Sequence, residues 1–272
     1  MIENETFLIK QGKSQLWSSP NSDFLFNRAG NFGDGLFETM IAVDGKIRFF
    51  DKHLQRLSEG MALLGLDSCC IDPDELSQLI ASKSLGQVLR LRWNVFRAGA
   101  GKYTPESSTL IQQLIISAHQ SGPAVKNKVA IAKTMCLYPT VWSACKTLNA
   151  MPYVLANKER RERGLDEIIL MDYRGFVSEA GSSNIFWRKE DEFFTPALAC
   201  SCINGVSRRV IFEAFLKKKI ILHEGEFTLD ELLLADQVFV TNCTGISYLS
   251  ELDEKKFEIS PIAELEELFQ IF

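Results

Sequence analysis

Residues 143–187 read SACKTLNAMPYVLANKERRERGLDEIILMDYRGFVSEAGSSNIFW, and the fold class follows from this stretch. The apolar positions after Ala150 predict a helix to Arg163, with Pro152 in its first turn, where no N–H is needed, and Gly164 just past its end. IILMD then predicts a strand, Arg174-Gly175 a turn, and FVSEAGSSNIFWRK a second strand. A helix followed at once by a hairpin of strands belongs to a mixed α/β or α+β chain.

The flanks agree. Upstream, VAIAKTMCL reads as a strand, and before it the chain turns polar around Ser121-Gly122-Pro123. We place a domain boundary there: residues 1–120 form one α/β domain, 121–128 a linker, and 129–272 a second α/β domain. In the first domain, residues 6–11 and 41–50 read as strand, with Asp44-Gly45 as a hairpin turn in the latter. Leu54, Leu57, Met61, Leu63 and Leu64 recur at helical spacing from Lys52 to Gly65. Pro73–Leu85 is a helix capped by Asp72, and VLRLRWNVFR and LIQQLIISA are strands. In the second domain, residues 205–218 and 261–272 read as helices and 236–242 as a strand.

Composition narrows the function. A net charge of −5 argues against a binder of nucleic-acid backbone. No apolar run approaches the ~20 residues of a membrane helix, and the start MIENETFLIKQGK lacks the core of a secretory signal. A cytoplasmic protein is the expectation. The seven cysteines include no Cys-x-x-Cys pair, and none lies near His53, His119 or His223, so no metal site is expected. There is neither a Walker A sequence nor a Gly-x-Gly-x-x-Gly turn between strand and helix, which removes the common nucleotide-binding folds.

The chemistry-bearing residues are Lys146 and Glu179. Lys146 stands among Ala144, Cys145 and Leu148, and desolvation of an amine frees its lone pair for Schiff-base formation. Glu179 follows 33 residues later in Ser-Glu-Ala-Gly-Ser-Ser-Asn, and an acid there suits a protonated pyridine nitrogen. In order and spacing, the lysine, the Leu-Ala helix, Asp-x-x-Gly-x-Val-Ser-Glu and Ser-Asn-Ile-Phe resemble the signature of class IV pyridoxal-phosphate enzymes. Asn31-Phe-Gly-Asp-Gly-Leu-Phe-Glu-Thr39, His53-x-x-Arg56-Leu57, Ile203-Asn-Gly-Val-Ser-Arg208 and Val238-Phe-Val-Thr-Asn-Cys-Thr-Gly245 resemble further motifs of that family.

The resemblance implies a two-domain fold type IV enzyme, a homodimer with pyridoxal 5'-phosphate at its domain junction. Lys146 would bind the cofactor covalently and Glu179 its pyridine nitrogen. Arg56, Val206, Ser207, Cys243 and Thr244 would hold its phosphate, and His53 would pack or hydrogen-bond near Arg56. The helix start after Gly205 is itself a credible anion cradle, and Arg56 offers a permanent charge.

Within the family, Lys146-Thr-Leu-Asn149 resembles aminodeoxychorismate lyases more than the Lys-x-Gly-Gly-Asn-Tyr of branched-chain aminotransferases. Met151 stands where the latter place a tyrosine, and it cannot donate a hydrogen bond. Asn204-Gly205 also resembles the lyase turn, and Arg97-Ala-Gly-Ala-Gly-Lys-Tyr103 resembles a glycine-rich stretch of lyases. The expectation is therefore a lyase converting 4-amino-4-deoxychorismate to 4-aminobenzoate and pyruvate in folate biosynthesis. A branched-chain or D-amino-acid aminotransferase using 2-oxoglutarate is the alternative. A noncatalytic binding protein on the same fold would have no need of Lys146 and Glu179. Arg97, Lys102 and Arg92 are the candidates for the substrate carboxylates.

Overall fold

A computed structural model describes residues 6–11, 16–19, 28–99 and 101–269. The first residues of the chain, Ala100 of the glycine-bearing segment, and residues 270–272 of the expected last helix lie outside them. Helices and strands interleave in a mixed α/β fold. The chain divides into two compact units, one of Met1–Gln120 with Cys145–Ala150, the other of Ser121–Ala144 with Met151–Ile271. Lys146 thus belongs to the first unit, and Glu179 to the second.

The first unit is built on an antiparallel sheet. Its strands are β1 (Thr6–Gln11), β2 (Gly35–Val43), β3 (Lys46–Ile47), β4 (Val88–Arg97) and β5 (Leu110–Ala118), in the order β1-β5-β4-β2-β3. The short helix α1 (Arg28–Phe32) precedes β2, and α2 (Phe50–Leu64) and α3 (Pro73–Lys83) follow β3. Alternation in β4 sends Leu89, Leu91, Trp93 and Val95 into the core, where they meet Leu57 and Met61 of α2 and Leu76 and Ile80 of α3. Each such buried side chain contributes about 1.5–3 kcal/mol. Asp72 caps α3 by accepting the N–H groups of Asp74 and Glu75.

The expected strand 41–50 is corrected. β2 ends at Val43, Asp44 and Gly45 make the turn with φ of 46° and 82°, and only Lys46–Ile47 return as β3. Phe49 then adopts a left-handed φ of 53°, and α2 starts at Phe50, two residues earlier than its spacing suggested. With β3 so short, the first half of β2 would have a bare edge. Lys146–Leu148 occupies it: the Phe37 N–H donates to the Lys146 carbonyl at 2.9 Å, and the Leu148 N–H to the Gly35 carbonyl at 2.9 Å.

The second unit holds two larger sheets and a two-stranded ribbon of Glu251–Leu252 with Lys255–Lys256. The strands are β6 (Val125–Lys126), β7 (Val129–Ile131), β8 (Glu167–Met171), β9 (Val177–Ala180), β10 (Asn184–Lys189), β11 (Glu192–Pro196), β12 (Leu222–Gly225), β13 (Gln237–Asn242) and β14 (Gly245–Leu249). One sheet runs β12-β11-β10-β13-β14-β6, the other β7-β8-β9. The helices include α4 (Met151–Glu162), α5 (Val206–Lys218), α6 (Leu229–Leu233) and α7 (Ala263–Phe269). The stretch VAIAKTMCL forms a strand only over Val129–Ile131. Glu159 of α4 accepts the N–H groups of Lys133 and Thr134, which removes both from the ladder. The expected long strand 176–189 is likewise two strands. A turn in which the Ala180 N–H donates to the Ser183 carbonyl parts them into different sheets.

Candidate active site

In the first unit, two consecutive residues of β2 serve opposite faces. Glu38 points with Leu36 and Met40 toward α2 and is 1% exposed. Its carboxylate accepts from Arg56 Nε at 2.8 Å and Nη2 at 2.5 Å, and lies 2.6 Å from His53 Nδ1. Burial alone would raise the Glu38 pKa; Arg56 and His53 outweigh it and bring it down to about 2. The two sequence motifs Phe-Glu-Thr and His-x-x-Arg are therefore one ion cluster. Sequence reasoning missed Glu38, although an acid at an alternate position among Leu36, Met40 and Ala42 demands a buried partner.

Phe37 serves the other face. Its ring centroid lies 4.6 Å from Lys146 Nζ and 4.0 Å from the Arg92 guanidinium carbon, so it touches both cations. Lys146 is half-buried, and Cys145 beside it packs on the core. Arg92 stands opposite Thr39 on β2, with Nε on Asn94 Oδ1 at 3.0 Å. Burial, then the charge of Arg90, lowers its pKa. Arg97 is differently placed. Its guanidinium donates to Asp34 Oδ2 and to the carbonyls of Leu64, Gly65 and Ser107, and it is 7% exposed. That set of acceptors makes it a clamp on its own loops. The Lys102 side chain is exposed, and its carbonyl accepts from Arg28.

In the second unit, β9 places Glu179 in the interior, 3% exposed. Its Oε1 accepts from the Tyr153 hydroxyl at 2.5 Å, and Oε2 from the Ile203 N–H at 3.2 Å. Tyr153, on the first turn of α4, was not anticipated. The preceding Met151 drew the sequence reading, but its side chain is exposed.

The start of α5 lies in the same unit. Gly205 is its N-cap and offers no side chain to it, so the amides of the first turn face outward. A Cβ at 205 would stand 1.8 Å from Asn184 Oδ1, so any other residue would have to displace that side chain. The Ser207 hydroxyl accepts from Thr241 Oγ1 at 3.1 Å, which ties α5 to β13. Cys243 and Thr244 form the two-residue connection from β13 to β14, and both the N–H and the hydroxyl of Thr244 donate to Asn242 Oδ1. Each unit by itself carries groups whose chemistry suits pyridoxal 5'-phosphate: the first a lysine amine beside an aromatic ring, the second a buried carboxylate and a helix start without a side-chain cap. The one metal-type grouping among the described residues is Asp67, Cys69 and Cys70, where Asp67 accepts the Cys69 N–H as cap of a short 3-10 turn. No helix among the described residues is long and apolar enough to cross a membrane.

Comparison with known proteins gives the setting for this geometry. The amino-transferase class IV family profile matches residues 35–251. A D-alanine aminotransferase of Bacillus licheniformis is 26% identical over 223 residues, 80% of this chain and 78% of that protein. The branched-chain-amino-acid aminotransferase-like protein 2 of Arabidopsis thaliana is 26% identical over 254 residues, 89% of this chain but only 43% of that longer protein. The crystal structure of 4-amino-4-deoxychorismate lyase from Pseudomonas aeruginosa is similar with a TM-score of 0.78 and 26% identity, over 92% of this chain and 95% of that one.

Proposed function

The chain belongs to the class IV aminotransferase family of pyridoxal-5'-phosphate enzymes, and on that premise we propose that it is a lyase releasing pyruvate and 4-aminobenzoate from 4-amino-4-deoxychorismate. The observation that carries this reading is helix α4. Met151, the position at which the branched-chain aminotransferases carry a tyrosine, has an exposed side chain without a donor, and the nearby Tyr153 hydroxyl is committed to Glu179. The similarity to the Pseudomonas aeruginosa lyase over nearly the whole chain supports it.

When bound, pyridoxal phosphate supplies the electron sink that acidifies the substrate's Cα–H. In this reading Lys146 holds the cofactor and then carries the proton to and from carbon. Glu179 faces the pyridine nitrogen. The amides of Val206 and Ser207 take the phosphate, together with Cys243 and Thr244. The family resemblance assigns Arg56 to the phosphate as well, and Glu38 occupies its Nε and Nη2. Of the basic residues considered for the substrate carboxylates, Arg92 is favoured: it shares the Phe37 ring with Lys146, and no carboxylate among the described residues pairs with it. Arg97 is occupied by its loops, and Lys102 is a secondary candidate. The same reading implies a cytoplasmic homodimer serving folate synthesis.

The test is a single-substrate assay. Elimination restores the cofactor's aldehyde in each cycle, so pyruvate release from aminodeoxychorismate should continue without any keto-acid acceptor. A single stoichiometric burst that resumes on adding 2-oxoglutarate would instead identify an aminotransferase.

A further inference from the structure

We propose that Tyr153 is a positioning residue that holds Glu179 as an anion, so that the proton between this carboxylate and the cofactor's pyridine nitrogen rests on the nitrogen. The inference rests on the reading of Glu179 given above and deepens it. Burial as deep as that of Glu179 drives a carboxylate toward its neutral form, and donors aimed at the charged form oppose that. Two such donors are in place, the Ile203 N–H on Oε2 and the Tyr153 hydroxyl on Oε1. The 2.5 Å separation of the latter is that of a charge-assisted O–H···O⁻ bond.

The surroundings keep both donor and acceptor in these roles. Burial, then the charge of Glu179 and its hydrogen bond, push the Tyr153 phenol well above its ordinary pKa, so it stays an O–H donor throughout the working pH range. The Cys202 thiol, near both, is also pushed up by burial and by Glu179, so it brings no second negative charge. Arg208, beyond Cys202, turns its guanidinium to Glu224 at 2.6 Å and to the Pro196 carbonyl at 3.2 Å. The phenol is thus a neutral, permanently protonated donor to this acid. Its hydroxyl matters separately from its ring, which packs with Leu137, Ala156, Ile168 and Leu170. Phenylalanine preserves that packing and removes only the donor.

Without the hydroxyl, Glu179 becomes a stronger base and draws the proton from the ring nitrogen, which weakens the electron sink. The experiment uses the full chain with Tyr153→Phe and two nuclear magnetic resonance readouts. In protein without added cofactor, labelled glutamate carboxyls should show Glu179 titrating about one pH unit or more higher in the variant. In protein loaded with cofactor labelled with nitrogen-15 in its ring, the nitrogen should carry a smaller share of the proton across the working pH range. We expect kcat to fall about tenfold, following such a shift, with KM nearly unchanged. A Glu179 titration and a ring-nitrogen titration both unmoved by Tyr153→Phe would overturn the inference. Glu179→Gln separates the two levels of the argument. If Glu179→Gln alters the ring nitrogen while Tyr153→Phe does not, only the role of Tyr153 fails. If neither alters it, the assignment of Glu179 itself fails, and this inference with it.

Discussion

Two buried acids, Glu38 in the first unit and Glu179 in the second, are held in different ways. In the first, Glu38 is matched by a fixed cation, the Arg56 guanidinium in a two-point bond, with the His53 ring beside it, between a strand and a helix. In the second, Glu179 is held by a phenol and a backbone amide, and the start of α5 offers an anion amides rather than a side-chain charge. A full ion pair leaves little charge for a ligand and mainly fastens two elements together. Neutral donors hold an acid without themselves cancelling its charge. The difference predicts that charge removal at Glu38 is chiefly a lesion of folding, and at Glu179 chiefly a lesion of chemistry.

The largest effect should come from the second unit. Glu179→Gln is expected to lower turnover by roughly 10²–10³-fold, the scale of removing one preorganised electrostatic group. Circular dichroism and thermal unfolding should be close to those of the parent. A variant that turned over normally, or that unfolded, would erase the contrast between the units.

Next comes the cluster on β2 and α2. Glu38→Ala strands the Arg56 charge in the interior and should cost about 3–5 kcal/mol in urea unfolding. The sign of its pH dependence is fixed by the depressed Glu38 pKa. The pair's contribution is complete above about 4.5, the ordinary glutamate value, and is lost as pH falls toward about 2. Glu38→Gln should flatten the stability profile across that window, and an unchanged profile would show that the pairing is weaker than its geometry.

Arg56 sharpens the comparison because it belongs to the ion cluster and is also proposed to reach phosphate. Arg56→Ala should weaken cofactor affinity about tenfold to a hundredfold, as a charge-assisted contact of roughly 1.5–3 kcal/mol implies. Unchanged affinity in an equilibrium titration would confine Arg56 to its pair with Glu38. The smallest effect is expected for Thr241→Val, which removes the bond to the Ser207 hydroxyl. It should cost about 0.5–1.5 kcal/mol of stability and leave turnover nearly intact.

Much of the fold was legible from local signals. The Asp44-Gly45 turn, the Asp72 cap, the alternation of β4 and the helix after Gly205 lie where turn chemistry, capping and periodicity put them. The misreadings share a cause, because each depends on a partner distant in sequence. VAIAKTMCL looks like one strand until Glu159, on α4, captures two of its amides. The segment Cys145–Ala150 completes an edge of the first unit from within the second half of the chain, which no local pattern discloses. At the site, Lys146 and Glu179 stood out because their motifs are contiguous. The Glu38–Arg56 pair and the Tyr153 bond cross 18 and 26 residues, and Arg97 looked available for a ligand only because its carbonyl acceptors carry no sequence signature.

The central proposal is that Lys146, at the edge of β2, is the amine that holds the cofactor. Borohydride reduction of the cofactor-loaded protein, followed by peptide mass mapping, tests this directly by fixing the cofactor to the amine that carries it. The pyridoxyl mass should fall on the peptide containing Lys146, and Lys146→Ala should leave the protein unlabelled. A label on Lys133 or Lys158, both in the second unit, would contradict the account.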